Sequence, residues 1–275
     1  MRVSLVTGLA ASAVAVVVAG CAPTAELSAH AEPEGLPNGW FDYQLGGGYP
    51  PPEDVGIVVR DSTDEPEPGM YSICYVNGFQ TQPGEERKWL DEGLVLLDEA
   101  GEPVIDPGWP DERLLDTSTD EKRGRIAALL GATIEGCADD GFAAVEFDNL
   151  DSYLRSQGWL TVEDNFALAE ELVAIVHDHG LLAAQKNAAE ETERGREAGF
   201  DFAITESCAA WFECDAYTSV YGDEGVLDIE YPDTLENAGL TFEDVCADPE
   251  SPSRTILRDL DLVPEGAEGY LYERC

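Results

Sequence analysis

The segment Gly141-Phe-Ala-Ala-Val-Glu-Phe-Asp-Asn-Leu-Asp-Ser-Tyr153 is an apolar run that ends in Glu146, Asp148, Asn149 and Asp151. Carboxylates are common throughout this chain, but these stand where a buried strand should stop, so they are delivered to one rim of a sheet. Phe202-Ala-Ile-Thr-Glu206 repeats the pattern, with Glu206 following apolar residues. Two carboxyl groups facing each other across a cleft can divide the hydrolysis of a glycosidic bond. One, ionised, attacks the sugar or activates water, and the other, protonated, releases the leaving oxygen. That division needs different surroundings for the two acids. Asp148, beside Asn149 and within reach of Lys186, is the candidate for the ionised partner. Glu206, beside Ser207, Cys208 and Trp211, is the candidate for the proton-bearing one.

Lys186 is informative because the chain has only three lysines, at 88, 122 and 186. A cation in Ala183-Ala-Gln-Lys-Asn187, at the end of an apolar run, is placed either to pair with site carboxylates or to make an ion pair at the rim. Tyr75, Trp109, Trp211, Tyr217 and Tyr231 also follow apolar runs, where an aromatic face can carry the apolar face of a sugar ring or simply pack. Other chemistries fare worse. His30, His177 and His179 are the only histidines, the first in the tether before residue 38 and the others ending a helical pattern just before a strand. A Ser-His triad and a His-based metal centre are therefore not expected. No phosphate loop, dinucleotide fingerprint or EF-hand spacing is present, so neither a metal nor a cofactor is expected.

The elements that must position these residues read as alternating strands and helices, the signature of βα units around a parallel sheet. Eight strands are expected: 55–61, 70–77, 113–116, 143–148, 181–186, 202–206, 226–231 and 254–259, the third being the least apolar. Their carboxyl ends carry Asp61, Tyr75 and Asn77, Asp116, Asp148, Lys186 and Asn187, Glu206, and Glu230. In a barrel these converge on one mouth. Thr161 with Asp164 makes a capping-box start for a helix whose Leu168, Leu172, Ile175 and Val176 recur at helical spacing, and Gly180 stops it. A second helix carries Ile126, Leu129, Leu130 and Ile134 on one face. The expectation is a single (β/α)8 barrel over residues 38–275, with the glycine- and proline-rich stretch 40–52 as an irregular lead-in.

The 275 residues include 57 acidic and 15 basic ones, a formal net charge of −42. Such a surface repels nucleic acid. It fits adaptation to high salt, attraction to a polycation, or both. Residues 1–20 hold one cation, Arg2, no acid, and the apolar run 13–20, too short to span a bilayer. That run ends Val18-Ala-Gly-Cys21, which resembles the lipobox of bacterial lipoproteins. A lipidated Cys21 would anchor a monomeric protein outside the cytoplasm, with 21–37 as a flexible tether. The six remaining cysteines are even in number and in an oxidising compartment, which makes three disulfides plausible and leaves fifteen connectivities open.

Phe41-Asp-Tyr-Gln-Leu45, Ile73-Cys-Tyr-Val-Asn-Gly78, Trp109-Pro-Asp-Glu112, the segment 141–153, Gln185-Lys-Asn187, Phe200-Asp-Phe-Ala-Ile-Thr-Glu-Ser-Cys208 and Asp228-Ile-Glu-Tyr231 occur in one order from residue 40 nearly to the C-terminus. Together they resemble glycoside hydrolase family 114, the endo-α-1,4-polygalactosaminidase-like barrels. The resemblance implies a (β/α)8 fold and endo-cleavage of an α-1,4-linked, galactosamine-containing cationic polysaccharide, with Asp148 as nucleophile and Glu206 as acid/base. It puts Tyr75, Asn149, Asp151, Lys186 and Glu230 on the substrate groove, where Asp61, Trp211 and Tyr231 are also expected from the strand ends. It also implies a Cys74–Cys137 disulfide. Ala143, Ala144 and Phe147 depart from the family's usual Asp-Gly and Pro at those positions, which spares the acids and bears on subsite shape. Two other readings stay open: a non-catalytic polysaccharide-binding lipoprotein on the same barrel, and a hydrolase of another α-glycan.

Overall fold

Side chains alternate between two environments along each central strand, and this sorts the chain into a barrel interior and a surrounding shell. The computed structural model describes residues 1–2 and 35–275; the expected leader, Cys21 and the tether as far as residue 34 lie outside the described residues. Eight parallel strands follow one another in chain order: β1 (Trp40–Tyr43), β2 (Val55–Asp61), β3 (Tyr71–Asn77), β4 (Ala144–Asp148), β5 (Leu182–Lys186), β6 (Phe202–Glu206), β7 (Val226–Glu230) and β8 (Thr255–Arg258). A short β9 (Tyr272–Arg274) runs antiparallel to β8. The helices are α1 (Glu86–Asp91) and α2 (Asp120–Asp140) before β4, α3 (Val162–Asp178) before β5 and α4 (Thr192–Ala198) before β6. They continue with α5 (Cys208–Trp211) and α6 (Cys214–Tyr221) before β7, then α7 (Pro232–Ala238) and α8 (Phe242–Ala247) before β8.

Phe41, Ile57, Ile73, Ala144, Leu182, Phe202, Leu227 and Ile256 fill the interior. Val76, Val145, Phe147 and Ala183 point the other way, against Ile126, Leu130, Leu168, Leu172 and Val176 of α2 and α3. The two long helices start as their sequences require. The Thr119 side chain accepts from the Lys122 N–H, and Thr161 with Asp164 forms a reciprocal capping box. Gly180, at φ 75°, then takes the left-handed conformation that ends the α3 turn.

Two expectations about the strands are corrected. Residues 113–116 are not a barrel strand; they belong to an excursion, 78–119, held by isolated bridges such as Gln80↔Leu114 and Val95↔Leu115. The eighth parallel strand is instead β1, inside the expected lead-in, where Phe41 and Tyr43 are fully buried. The helical shell is also incomplete, since loops alone join β1 to β2 and β2 to β3. Arg60, on the outer face of β2, ties both loops down through Gln44 Oε1 (3.0 Å), the Tyr49 carbonyl (2.9 Å) and Glu67 (2.6 Å). No backbone ladder joins β1 to β8. Buried Arg258 bridges that seam by donating to Asp42 Oδ1 (2.9 Å) and to the Tyr43 carbonyl, and the Tyr272 hydroxyl donates to the Phe41 carbonyl (2.9 Å).

Three disulfides staple the shell. Cys74–Cys137 joins β3 to α2, Cys208–Cys214 joins α5 to α6, and Cys246–Cys275 joins α8 to the C-terminus. The first and third close loops with sequence separations of 63 and 29. Restricting the unfolded chain in this way contributes about 4 kcal/mol for each.

Candidate active site

The alternation that builds the interior also selects the residues at its mouth. Continuing the inward face of each strand to its carboxyl end gives Tyr43 on β1, Tyr75 and Asn77 on β3, and Glu146 and Asp148 on β4. It gives Lys186 on β5, Glu206 on β6 and Tyr231 just past β7. The chain then turns away sharply. Asn149 (φ 65°), Asn187 (φ 49°) and Ser207 (φ 63°) all adopt the left-handed conformation immediately after Asp148, Lys186 and Glu206. Non-glycine residues held there cost on the order of 1 kcal/mol each, and such strain collects at functional sites. Local bonds hold these turns: Asn187 Oδ1 accepts the Glu206 N–H (2.8 Å), and Asn149 Nδ2 donates to Asn77 Oδ1 (3.0 Å).

Lys186 is the hub. Its buried ammonium lies 3.1 Å from Glu146 Oε1, 3.2 Å from Glu206 Oε2 and 3.9 Å from Asp148 Oδ1, and donates to the Tyr43 hydroxyl at 2.7 Å. A buried cation survives only with such compensation. Burial works against its charge, but Asp148, Glu146 and Glu206 more than offset that and hold Lys186 well above the usual lysine range. Tyr43 passes the chain of bonds on, donating to Glu146 Oε1 at 2.8 Å. Glu146 is fully buried and its other oxygen has no partner among the described residues; burial pushes it up to about 7 despite the ammonium beside it.

Asp148 and Glu206 are the exposed members, with 21% and 29% of their side chains open to the cleft. They are dressed alike. Asp148 accepts the Tyr75 hydroxyl (2.6 Å) and the Asn149 N–H (2.8 Å), and Glu206 accepts the Tyr231 hydroxyl and Asn187 Nδ2 (3.4 Å). Burial, then the neighbouring carboxylates, keep Tyr75 and Tyr231 well above the usual phenol range, so both remain donors. Because both acids contact one ammonium, the 3.9 Å and 3.2 Å legs laid end to end bound the separation of those two oxygens at 7.1 Å. Carboxyl pairs that cleave glycosidic bonds stand roughly 5 to 9.5 Å apart.

The cleft over this pair has a volume of about 540 Å³. The 78–119 excursion forms one wall with Asp106, Trp109 and Glu112, and Leu260 to Leu262 form another rim. Arg155 knits the first wall to the β4 loop, pairing with Asp106 (2.6 Å) and Asp151 (3.0 Å) and donating to Asn149 Oδ1 (3.0 Å). A second depression of about 300 Å³ shares Asp151, Asn187 and Glu206 with the first and reaches Trp211, so the groove continues past Glu206. Trp211 and Trp109 are 64% and 55% exposed, unusual for tryptophan.

Tyr75, Asp148, Asn149, Asp151, Lys186, Glu206 and Tyr231 therefore meet in one cleft, with Trp211 at its extension. Two expected residues stand apart. Glu230 is fully buried on the outer face of β7, where Oε1 accepts the N–H groups of Ala209 (2.7 Å) and Ala210 (3.4 Å). The strand alternation that puts Tyr231 inward puts Glu230 outward. Asp61 lines a separate groove and bonds Thr63 and Gln82 Nε2. Tyr217 is buried beside the Cys208–Cys214 disulfide. Glu146 was named among the rim acids but given no role at the site, and Tyr43, Asp106, Glu112 and Arg155 were not assigned to it. Glu146 was detectable by spacing, two residues before Asp148 on the same strand face; Tyr43 was hidden by reading β1 as irregular.

A family model described as glycoside-hydrolase family GH114 matches residues 22–275. Among solved structures, Ega3 of Aspergillus fumigatus in complex with galactosamine superposes with a TM-score of 0.67 at 21% identity, covering 86% of this chain and 95% of that one. The glycoside hydrolase domain of PelA from Pseudomonas aeruginosa gives 0.53 at 14% identity, covering 83% and 97%. No curated relative matches the chain. At these identities the structural likeness carries the barrel fold, and the match over nearly the whole chain carries the family. The chain belongs to glycoside-hydrolase family GH114.

Proposed function

We propose that this glycoside hydrolase cleaves α-1,4-linked, galactosamine-containing polysaccharide internally, by a retaining mechanism with Asp148 as nucleophile and Glu206 as acid/base. The observation that carries this reading is the pair itself: two partly exposed carboxylates on one buried ammonium, at the floor of an open groove. Asp148 attacks the anomeric carbon as its bond to the leaving oxygen breaks, and Glu206 gives that oxygen its proton. Glu206 then takes a proton from the water that releases the glycosyl-enzyme. Lys186 balances the negative charge as it passes from Asp148, which becomes the glycosyl ester, to Glu206, which switches from acid to base. Acidic residues line the groove, Asp106, Glu112, Asp148, Asp151, Glu206 and Asp261 against Lys186 and Arg155, which favours a polymer bearing ammonium groups. The galactosamine in the Ega3 complex is in keeping with that substrate class. Exposed Trp109 and Trp211 offer ring-stacking faces to a chain that extends beyond the reacting pair, as internal cleavage requires.

Asp148→Asn and Glu206→Gln should each abolish hydrolysis of partially deacetylated galactosaminan while the thermal transition stays near wild type. NMR of the newly released anomer should show retention. Turnover surviving in either variant refutes the pair, and an inverted first product refutes the nucleophile role. The enzyme is further proposed to act as a monomer outside the cytoplasm, lipid-anchored at Cys21, on the strength of the Val18-Ala-Gly-Cys21 pattern. Cys21→Ala should shift the protein from membrane to soluble fractions, and unchanged membrane retention argues against the anchor.

A further inference from the structure

One buried acid in the groove has no cation among the described residues. Glu112 is only 9% exposed, yet it lines the cleft. Its Oε2 accepts from Asn77 Nδ2 at 3.0 Å, and among the described residues neither a lysine nor an arginine pairs with it. The other carboxylates of the groove are provided for: Asp106 and Asp151 by Arg155, Asp148 and Glu206 by Lys186 and a tyrosine hydroxyl each, and Asp261 by solvent at the rim. Burial raises Glu112 to about 7, the nearby charges of Asp148, Asp106 and Asp111 add to this, and the Asn77 bond opposes it. A carboxyl so placed is left without a cation by the protein and open on its groove side. Asn77 also fixes where it stands. Asn77 is the β3 residue in register with Asp148 on β4, so its amide holds Glu112 beside the reacting acid.

We propose that Glu112 receives the ammonium group of an amino sugar bound next to Asp148 and so selects free-amine over N-acetylated residues; this rests on reading the groove as an amino-sugar polymer site. An arriving ammonium supplies the missing partner, and a charge-assisted bond in a water-poor pocket is among the stronger polar contacts. An acetamide carries no charge and leaves the carboxyl buried and unpaired, a penalty that discriminates against it.

Wild type and Glu112→Gln are compared on α-1,4-linked galactosamine oligosaccharides and on their N-acetylated counterparts, reading kcat/KM for each. In the variant the ratio of amine to acetylated kcat/KM should fall about tenfold, the size of one such contact. In wild type that ratio should rise as pH climbs towards about 7, where Glu112 ionises. Taking the ratio cancels any effect of pH on the bond-breaking step itself, which both substrates share. A ratio unchanged by Glu112→Gln overturns the assignment, and so does a pH-independent ratio in wild type, a measurement that needs no variant to fold. Wild type that cleaves neither oligosaccharide defeats the amino-sugar substrate reading beneath it. Wild type that cleaves with a ratio indifferent to residue 112 defeats the Glu112 assignment alone.

Discussion

Lys186 shows how a single side chain can hold a site together against its own desolvation cost. Removing it leaves Glu146, Asp148 and Glu206 facing one another with no cation, two of them at the barrel mouth and one fully buried. Breaking a buried pair from one side costs about 3 to 5 kcal/mol, because the remaining charge has nowhere to go. Lys186→Met should therefore destabilise the fold by about that much near neutral pH, and abolish turnover. The loss should shrink in acid, for a reason that is already visible in wild type. Glu146 is raised to about 7 in the folded state, above its ordinary value, so its favourable contribution is complete below that ordinary value and disappears as pH rises through about 7. Without the ammonium, the carboxylates need protons more, and acid supplies them. Urea unfolding of wild type and variant at two pH values on either side of that window checks this. A deficit equally large in acid and at neutrality means that unbalanced charge is not what the lysine relieves.

At the scale of elements, what was legible in the sequence was the set of strands whose apolar runs end abruptly in polar residues. β4, β5 and β6 carry Asp148, Lys186 and Glu206 as their last residues, each followed by a left-handed Asn or Ser, and the Asn residues are a signal that sequence can carry. Period two then decides which face of its strand each polar residue takes. It explains why Glu146 is a site residue and Glu230 is not: Leu227, Ile229 and Tyr231 take the inner face of β7, which leaves Asp228 and Glu230 outside. There they still serve the site, at one remove. Asp228 accepts the Cys208 N–H and the Thr205 hydroxyl, and Glu230 accepts the N–H groups of Ala209 and Ala210, so both grip the segment that leaves Glu206. Burial and the adjacent Asp228 push Glu230 up, so this buried pair holds a proton rather than two charges. β1 was illegible for the opposite reason. Four residues between glycine- and proline-rich stretches are too few to show a period, and β1 is specified by long-range contacts, Arg258 on Asp42 and Lys186 on Tyr43. The 113–116 run misled because its apolar residues are buried without joining the barrel ladder: Leu114 packs with Leu96 and Val104 of the excursion, and Leu115 packs from outside into the core between the strands and α2 and α3.

For the whole molecule the dominant quantity is the formal charge of −42, carried by 57 acidic residues against 15 basic. Like charges crowded on a folded surface repel, and unfolding relieves that repulsion. The Debye length shrinks from about 10 Å at 0.1 M salt to about 3 Å at 1 M, so added sodium chloride should quiet the repulsion and raise the thermal midpoint across that range. The same screening weakens the long-range pull of an acidic groove on a cationic polymer, so KM for galactosaminan should climb as stability improves. The two effects separate the two explanations of the acidity. Habitat adaptation needs only the first, whereas substrate attraction needs the second. Short, uncharged N-acetylated oligosaccharides serve as the control, since their KM should not respond to salt. A thermal midpoint that stays flat or falls with salt means that self-repulsion is not limiting this fold. A KM for the cationic polymer as indifferent to salt as that of the uncharged control means that the acidic surface does not steer substrate, and that recognition is left to contacts inside the groove.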